Sequence, residues 1–311
     1  MKFSKFYYLF IIFLFFSCNN EPVDTSVFVE DIEDEEEEEQ EQEQEEGTFV
    51  DKDGNLFYLG VLCDQGSPAY SVGEHVLEDL EIPNDLPIDF DLSEFLPPVD
   101  SQGSMGSCTS WAISYYMKSM QEGIEDGITT RLSPAYTYNQ ISQGVCGGTD
   151  LAQTLEILKE QGVSSWNSFP YSDTDCTTQP DAAVNEEAAT NKISDYFSLS
   201  GENMVNEMKT LLTQQTSIII STTLSDQFGR TDSSGEAAYR DHVVNYAETG
   251  CHAMLVVGYS DIKNAFKVVN SWGTDWGNNG FVWIDYLAFE NVTDDTADFR
   301  VINGAYVAYD E

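Results

Sequence analysis

The sequence predicts an α+β fold of two lobes, helix-rich in its first half and strand-rich in its second. Three patterns carry that expectation. Between Cys108 and Gln121, residues Trp111, Ala112, Tyr115, Tyr116 and Met120 recur every three or four positions, the period of a helix with one buried face. From Ser217 onward the pattern changes to short apolar, β-branched runs at 217–223, 253–259, 265–270, 280–285 and 305–309. Strands that follow helices rather than alternate with them segregate into a layer of their own, so a cleft is expected between the halves.

The chain opens with a segment that does not belong to that fold. Lys2 and Lys5 precede an apolar run from Phe6 to Phe16, too short to span a membrane as a mature helix, so Met1–Ser17 is a targeting signal. Its end, Phe-Phe-Ser-Cys18, resembles a bacterial lipoprotein signal. That resemblance implies an exported protein, anchored to the outer membrane or cell surface by a lipid on Cys18; ordinary cleavage with Cys18 incidental is the other reading. Residues 18–46 form a tether: thirteen acidic residues fall between Glu30 and Glu46 with almost nothing apolar, so no core forms and self-repulsion extends the chain. Without those thirteen the net charge of -42 is still -29. No basic patch is present to neutralise phosphates, which excludes nucleic acid as a partner class; the charge suits solubility or surface display.

Residues 47–82 are harder to place. Two short apolar runs flank Asp53-Gly54-Asn55, a hairpin signal. The segment could be an adaptor packed on the following domain, a brief pro-region or a linker, the adaptor being preferred. The main domain runs from 83 to 311, entered through extended, proline-bearing chain at Leu86-Pro87 and Pro97-Pro98-Val99.

The stretch Gln102-Gly-Ser-Met-Gly-Ser-Cys108-Thr-Ser-Trp-Ala112 organises that domain. Gly103 and Gly106 allow a sharp turn, and Cys108 opens the helix, where the positive end of the helix dipole favours thiolate, the nucleophilic form. Gln102 carries an amide that could donate to charge developing on a nearby carbonyl oxygen. Alone, the stretch fits a buried structural cysteine better than a nucleophile. A nucleophile needs a base and a group that orients the base. Of the three histidines, His75 precedes the core and His242 lies between polar stretches. His252 opens the apolar run to Gly258, at the edge of a strand. A second run, Ala265–Asn270, follows the polar turn Ser260–Asn264, and a hairpin of the two can bring Asn270 beside His252. Two further helices are expected: one near Leu132–Tyr136, with Ser133 capping and Pro134 in its first turn, and one carrying Leu151, Leu155 and Leu158 behind Cys146-Gly147-Gly148.

Three blocks, Gln102–Ala112, His252–Tyr259 and Asn270–Gly277, resemble the signature blocks of papain-like cysteine peptidases, in that family's order of Gln, Cys, His and Asn. The resemblance spans roughly Pro83 to Tyr309. It implies a two-lobed papain-like fold with Cys108 as nucleophile, His252 as base and Asn270 as the residue that orients it. Gln102 would serve as an oxyanion donor beside the Cys108 backbone N–H. It also implies that Trp272 shields the Asn270–His252 hydrogen bond, that Trp276 lies toward the leaving-group side, and that Gly147 and Gly148 bond substrate in β fashion. Departures from the pattern are Met105 where a loop cysteine is common, Thr109 after the nucleophile, and Cys251 before the base. Setting aside Cys18 and Cys108 leaves four cysteines and three pairings. Family positions favour Cys146 with Cys176, and Cys63 with Cys251 would then staple the N-terminal segment beside the base.

The expected activity is hydrolysis of peptide bonds through an acyl-enzyme by an endopeptidase, with no cofactor, no metal site, a peptide or protein as partner, and a monomeric state. An exopeptidase, a cell-wall amidase on the same fold, and a non-catalytic adhesion module are the alternatives.

Overall fold

A computed structural model describes residues 47–62, 73–127, 129–240, 250–290 and 301–311. All of them belong to one compact unit. The signal, the tether, Cys18, Cys63 and His242 lie outside the described residues.

The N-terminal segment forms a two-stranded antiparallel hairpin, β1 (Thr48–Val50) with β2 (Leu56–Tyr58), closed as its turn signal predicts. Asp51 makes the turn by accepting at Oδ1 from the backbone N–H groups of Asp53 and Asn55, both at 2.9 Å. After β3 (Asp89–Asp91) the chain reaches the central helix. It begins as α1 (Cys108–Ser110), continues as a π-helix over Trp111–Lys118 and returns to α geometry in α2 (Ser119–Asp126), ending on Gly127 in the left-handed region. Every residue from Ser107 to Met120 is buried, Ile113, Ser114, Met117 and Lys118 included. The periodicity suggested one buried face; the helix is instead enclosed all round, because the sheet packs on one side and α3 (Pro134–Ser142) and α4 (Leu151–Glu160) on others. The Lys118 ammonium is admitted there by ion pairs to Glu122 and Asp310.

Local chemistry sets both flanking helices. Ser133 caps α3 by accepting from Tyr136 N, with Pro134 as first helical residue. Asp150 caps α4 by accepting from Gln153 N at 2.9 Å, and Leu151, Leu155 and Leu158 are buried as their spacing requires. Two short helices escaped the sequence reading, α5 (Ala182–Ala188) and α6 (Met204–Thr213).

The second half forms one large, mostly antiparallel sheet. Its strands are β4 (Ile193–Ser198), β5 (Ile218–Thr223), β6 (Arg230–Thr231), β7 (Ala237–Tyr239), β8 (Cys251–Ser260), β9 (Ala265–Val269), β10 (Phe281–Asp285) and β11 (Ile302–Asp310). They lie in the order β4-β11-β5-β8-β9-β10-β7-β6, with β3 also paired to β8. The expected hairpin is β8–β9, in register with Leu255 opposite Val269. Its first strand is buried along its whole length because β5, β9 and β3 all pair with it. This is the two-lobed α+β architecture: a wall of helices opened by Cys108 faces a wall of strands that carries His252.

Candidate active site

Four polar side chains, scattered over 169 positions, meet where the central helix begins against β8. The backbone N–H of Ala253 donates to Cys108 Sγ at 3.4 Å, so the thiol is pinned to the strand position next to His252. His252 Nε2 lies 2.7 Å from Asn270 Oδ1. That oxygen also accepts from Ser271 N at 2.7 Å, which identifies it as the carbonyl end of the amide. Nε2 must then carry the ring hydrogen, and Nδ1 keeps a lone pair. Nδ1 has no hydrogen-bond partner among the described residues, the state a base needs before it takes a thiol proton. The Trp272 indole lies 4.7 Å from the imidazole, centroid to centroid, and both His252 and Asn270 are fully buried. Trp276 stands edge-on to Trp272 at 5.1 Å and stacks on Phe228.

Gln102 is fully buried and held by three hydrogen bonds to Ser271 and Met105. Its Oε1 accepts from Ser271 Oγ at 2.6 Å, its backbone N–H donates to Ser271 O, and its Nε2 donates to Met105 O at 2.7 Å. Tyr171 adds a fourth link, donating to Gln102 O at 2.7 Å and sharing a hydrogen bond with Ser107 Oγ. Met105, standing where a loop cysteine is common in the family, is packed in place. Its side chain is buried with Tyr138 and Cys176, and Cys176 is bonded to Cys146, with Cα atoms 5.5 Å apart. Ser271 and Tyr171 were not singled out by the sequence. Ser271 could have been, since it directly follows Asn270; nothing in the sequence marks Tyr171.

The cleft is occupied by the chain itself. Beyond β2, residues 59–62 run between the two walls. Thr149 N donates to Gly60 O at 2.8 Å, Leu62 N donates to Thr149 O at 3.2 Å, and Val61 N donates to Cys251 O at 3.3 Å. Toward this segment the β-type hydrogen bonds are made by Thr149. Gly147 instead gives its carbonyl to Tyr138 OH, while Gly148 lies over the Gly60 carbonyl, where a Cβ would stand 3.2 Å from that oxygen. Thr109 Oγ1 reaches Gly60 O and Thr149 O at 3.3 Å each. Gln102 Nε2 donates its second hydrogen to Tyr58 O at 3.0 Å, and Phe57 stacks on Trp272 at 4.4 Å. The segment packs on the domain as an adaptor would, but through the cleft.

That covering changes the electrostatics. Burial pushes the Cys108 thiol up to about 11, against the hydrogen bonds from Ala253, Gly60 and Thr109 that favour thiolate. Burial draws the His252 imidazole down to about 4, against the hydrogen bond to Asn270. The pair in this state is a neutral thiol and a neutral imidazole. The thiolate expected from the helix terminus alone is not the species here, because desolvation outweighs a helix dipole whose contribution is typically below about 1 kcal/mol. Cys251 is disulfide-bonded and accepts from Asn303 Nδ2 at 3.3 Å; the proposed partner Cys63 lies outside the described residues.

The family model of papain family cysteine proteases matches residues 86–293. The chain therefore belongs to that family. Among its relatives, an uncharacterized peptidase C1-like protein of Acanthamoeba polyphaga mimivirus is 24% identical over 217 residues, which cover 66% of this chain and 70% of that one. Cathepsin K of Gallus gallus is 29% identical over 212 residues, 63% of this chain and 57% of that one. A cathepsin L-like proteinase of Phaedon cochleariae is also 29% identical, the match covering 55% of its length. The chain thus spans little more than half the length of these two cathepsins. The structure of xylellain, a cysteine protease from Xylella fastidiosa, superposes with a TM-score of 0.61 at 20% identity, over 80% of this chain and 98% of that one. Bromelain from Ananas comosus gives 0.55 at 19% identity, over 73% and 100%. At these identities the solved structures establish the fold.

Proposed function

We propose that this papain-family cysteine peptidase is an endopeptidase displayed outside the cell on a lipid at Cys18. The observation that supports it best is the convergence of a free thiol at Cys108, a fixed His252–Asn270 pair and the amide of Gln102. In the reaction, His252 Nδ1 takes the thiol proton and the thiolate attacks a peptide carbonyl. Charge on the resulting oxyanion is met by Gln102 Nε2 and the Cys108 backbone N–H. The protonated imidazole then gives its proton to the leaving amine, and a water deprotonated by His252 releases the acyl group. Asn270 holds the ring through both stages and Trp272 keeps that hydrogen bond dry.

The test is digestion of a denatured protein by the parent and by Phe57→Ala, which loosens the segment lying in the cleft, with Cys108→Ala and His252→Ala as controls. Internal cuts that vanish in Cys108→Ala and slow at least about 10²-fold in His252→Ala support the reading. Trimming from one end alone would make the enzyme an exopeptidase, and no cleavage by either active form would leave the adhesion reading. Anchoring is tested by Cys18→Ala, which should move the protein from membrane to soluble fractions; unchanged membrane association overturns it.

A further inference from the structure

We propose that Tyr171 is a positioning residue for the oxyanion step: its hydroxyl ties together the two ends of the nucleophile loop and so fixes the Gln102 amide relative to the Cys108 backbone N–H. This rests on the peptidase reading above.

The two donors of that step stand at opposite ends of one loop. Gln102 carries the first, and the second is the N–H that follows Ser107. Between them the chain reads Gly-Ser-Met-Gly, with Gly103 in the left-handed region at φ 58°, so the backbone alone does little to hold the spacing. Each end is attached to a different part of the molecule. Gln102 is bonded through backbone and side chain to Ser271, just beyond β9, whereas Ser107 heads the central helix. Met105 O makes an inner link, accepting from Gln102 Nε2 at 2.7 Å and from Ser107 N at 2.8 Å. Tyr171 makes the outer one, from 69 positions beyond Gln102 and 64 beyond Ser107.

The hydrogens of the outer link can be assigned. A carbonyl only accepts, so the single hydrogen of the phenol lies on Gln102 O, at 2.7 Å. Ser107 Oγ, also at 2.7 Å, must then donate to the phenol oxygen. The result is a one-way chain from the Ser107 hydroxyl through Tyr171 to the Gln102 carbonyl, in which each bond polarises the next. Ser107 stands at the N-cap, where a serine ordinarily accepts from an N–H of the first turn, and it makes no such bond. Its hydroxyl is turned to Tyr171, and the first-turn N–H groups, that of Cys108 included, have no side-chain acceptor from the cap.

Tyr171 is itself held in place. Its ring meets Trp111, three residues after Cys108, edge-on at 5.0 Å, and Trp166 at 6.2 Å. Two residues on, Asp173 Oδ2 accepts from Ser104 N at 3.3 Å, and a Cβ on Gly103 would lie 2.2 Å from that oxygen, so this segment lies closely against the loop. Burial pushes the phenol up to about 12, so it stays protonated and can both donate and accept.

The test takes the Phe57→Ala chain as background and compares Tyr171→Phe and Ser107→Ala with it. A peptide aldehyde adds the thiol sulfur to its carbonyl carbon and places the resulting oxygen among the oxyanion donors, whereas iodoacetamide loses iodide to the thiolate and forms no oxyanion. Removing a donor costs about 10²- to 10³-fold, and displacing one should cost less. Tyr171→Phe should therefore raise the aldehyde inhibition constant and lower kcat by a common factor of about tenfold, with KM and the rate of iodoacetamide alkylation within about twofold of the background and a cooperative melt retained. Ser107→Ala should show the same split, and the double variant should be no worse than Tyr171→Phe. Aldehyde affinity within about twofold of the background in folded Tyr171→Phe overturns the clamp. A parallel loss of aldehyde affinity and alkylation also overturns it, because that pattern belongs to a purely structural role or to an effect on the thiol. If Tyr171→Phe fails to fold, Ser107→Ala decides by the same criteria. The split between aldehyde and alkylation without any peptide hydrolysis keeps the clamp and rejects the peptidase reading instead.

Discussion

Ser271 Oγ donates to Gln102 Oε1 at 2.6 Å, joining the residue after Asn270 to the amide at the head of the nucleophile loop. An amide oxygen that accepts from a hydroxyl fixes which end of the group is NH2. With one of those hydrogens on Met105 O, the other must face the cleft. Ser271 thus positions the amide proposed above as the oxyanion donor. On the Phe57→Ala background, Gln102→Ala should lower kcat about 10²- to 10³-fold. Ser271→Ala should cost about three- to tenfold, as expected for one hydrogen bond of about 1 kcal/mol. Steady-state kinetics of the double variant should match Gln102→Ala alone; additive losses would mean that Ser271 acts elsewhere.

The buried pair sets a pH window for stability. In the unfolded chain the imidazole titrates near 6.5, whereas burial holds His252 at about 4, so below pH 6.5 the unfolded state binds a proton that the folded state refuses. Stability from this group is complete above pH 6.5 and is lost as pH falls toward 4, by about 3 kcal/mol. On the alkaline side the thiol moves from 9.0 to about 11 on folding, so stability falls again above pH 9. Urea midpoints at pH 7, 5.5 and 4.5 should drop less steeply in His252→Gln than in the parent. Equal slopes would assign the acid loss to carboxylates.

The Cys146–Cys176 disulfide closes a loop across 30 positions and carries Met105 on its flank. Cys146→Ser and Cys176→Ser should each destabilise by about 2–4 kcal/mol, read as equal falls in melting temperature without reductant, and the double variant should fall no further. A larger loss in the double would show that the two sulfurs act separately.

Lys118, 1% exposed, lies between Glu122 and Asp310. Lys118→Met should cost about 3 kcal/mol in chemical denaturation, because two carboxylates are left facing each other without a cation. Adding Glu122→Gln and Asp310→Asn should recover part of the loss; no recovery would place the cost in packing.

Much of this arrangement is legible in the chain. Cys108, His252 and Asn270 each sit at the end of a periodic run, and the turn Ser260–Asn264 is short enough to force β8 beside β9, which carries His252 toward Asn270. Period alone could not show that the central helix is enclosed on every side. Its polar Ser114 pairs with Thr137 of α3 at 2.8 Å, a contact across helices that no local pattern reveals. Nor could it show β4, whose Ile193–Ser198 is half-exposed and polar in part, or the β-type bonds that Thr149 makes in the cleft. The neutral state of Cys108 was hidden for a related reason. Helix position is written locally, whereas the burial that overrides it comes from a segment about fifty positions upstream.

The span of these contacts also bears on how the enzyme comes into being. Cys108 meets Ala253 across 145 positions, Tyr116 OH meets Asn270 O across 154, and Gln102 meets Ser271 across 169. A chain made from its N-terminus carries its thiol long before β8 and β9 exist to supply a base. Residues 48–62 are made earlier still, so the occupant of the cleft is waiting when the walls close around it. Assembly of the Cys108–His252–Asn270 group therefore waits for the late-made strands of the sheet.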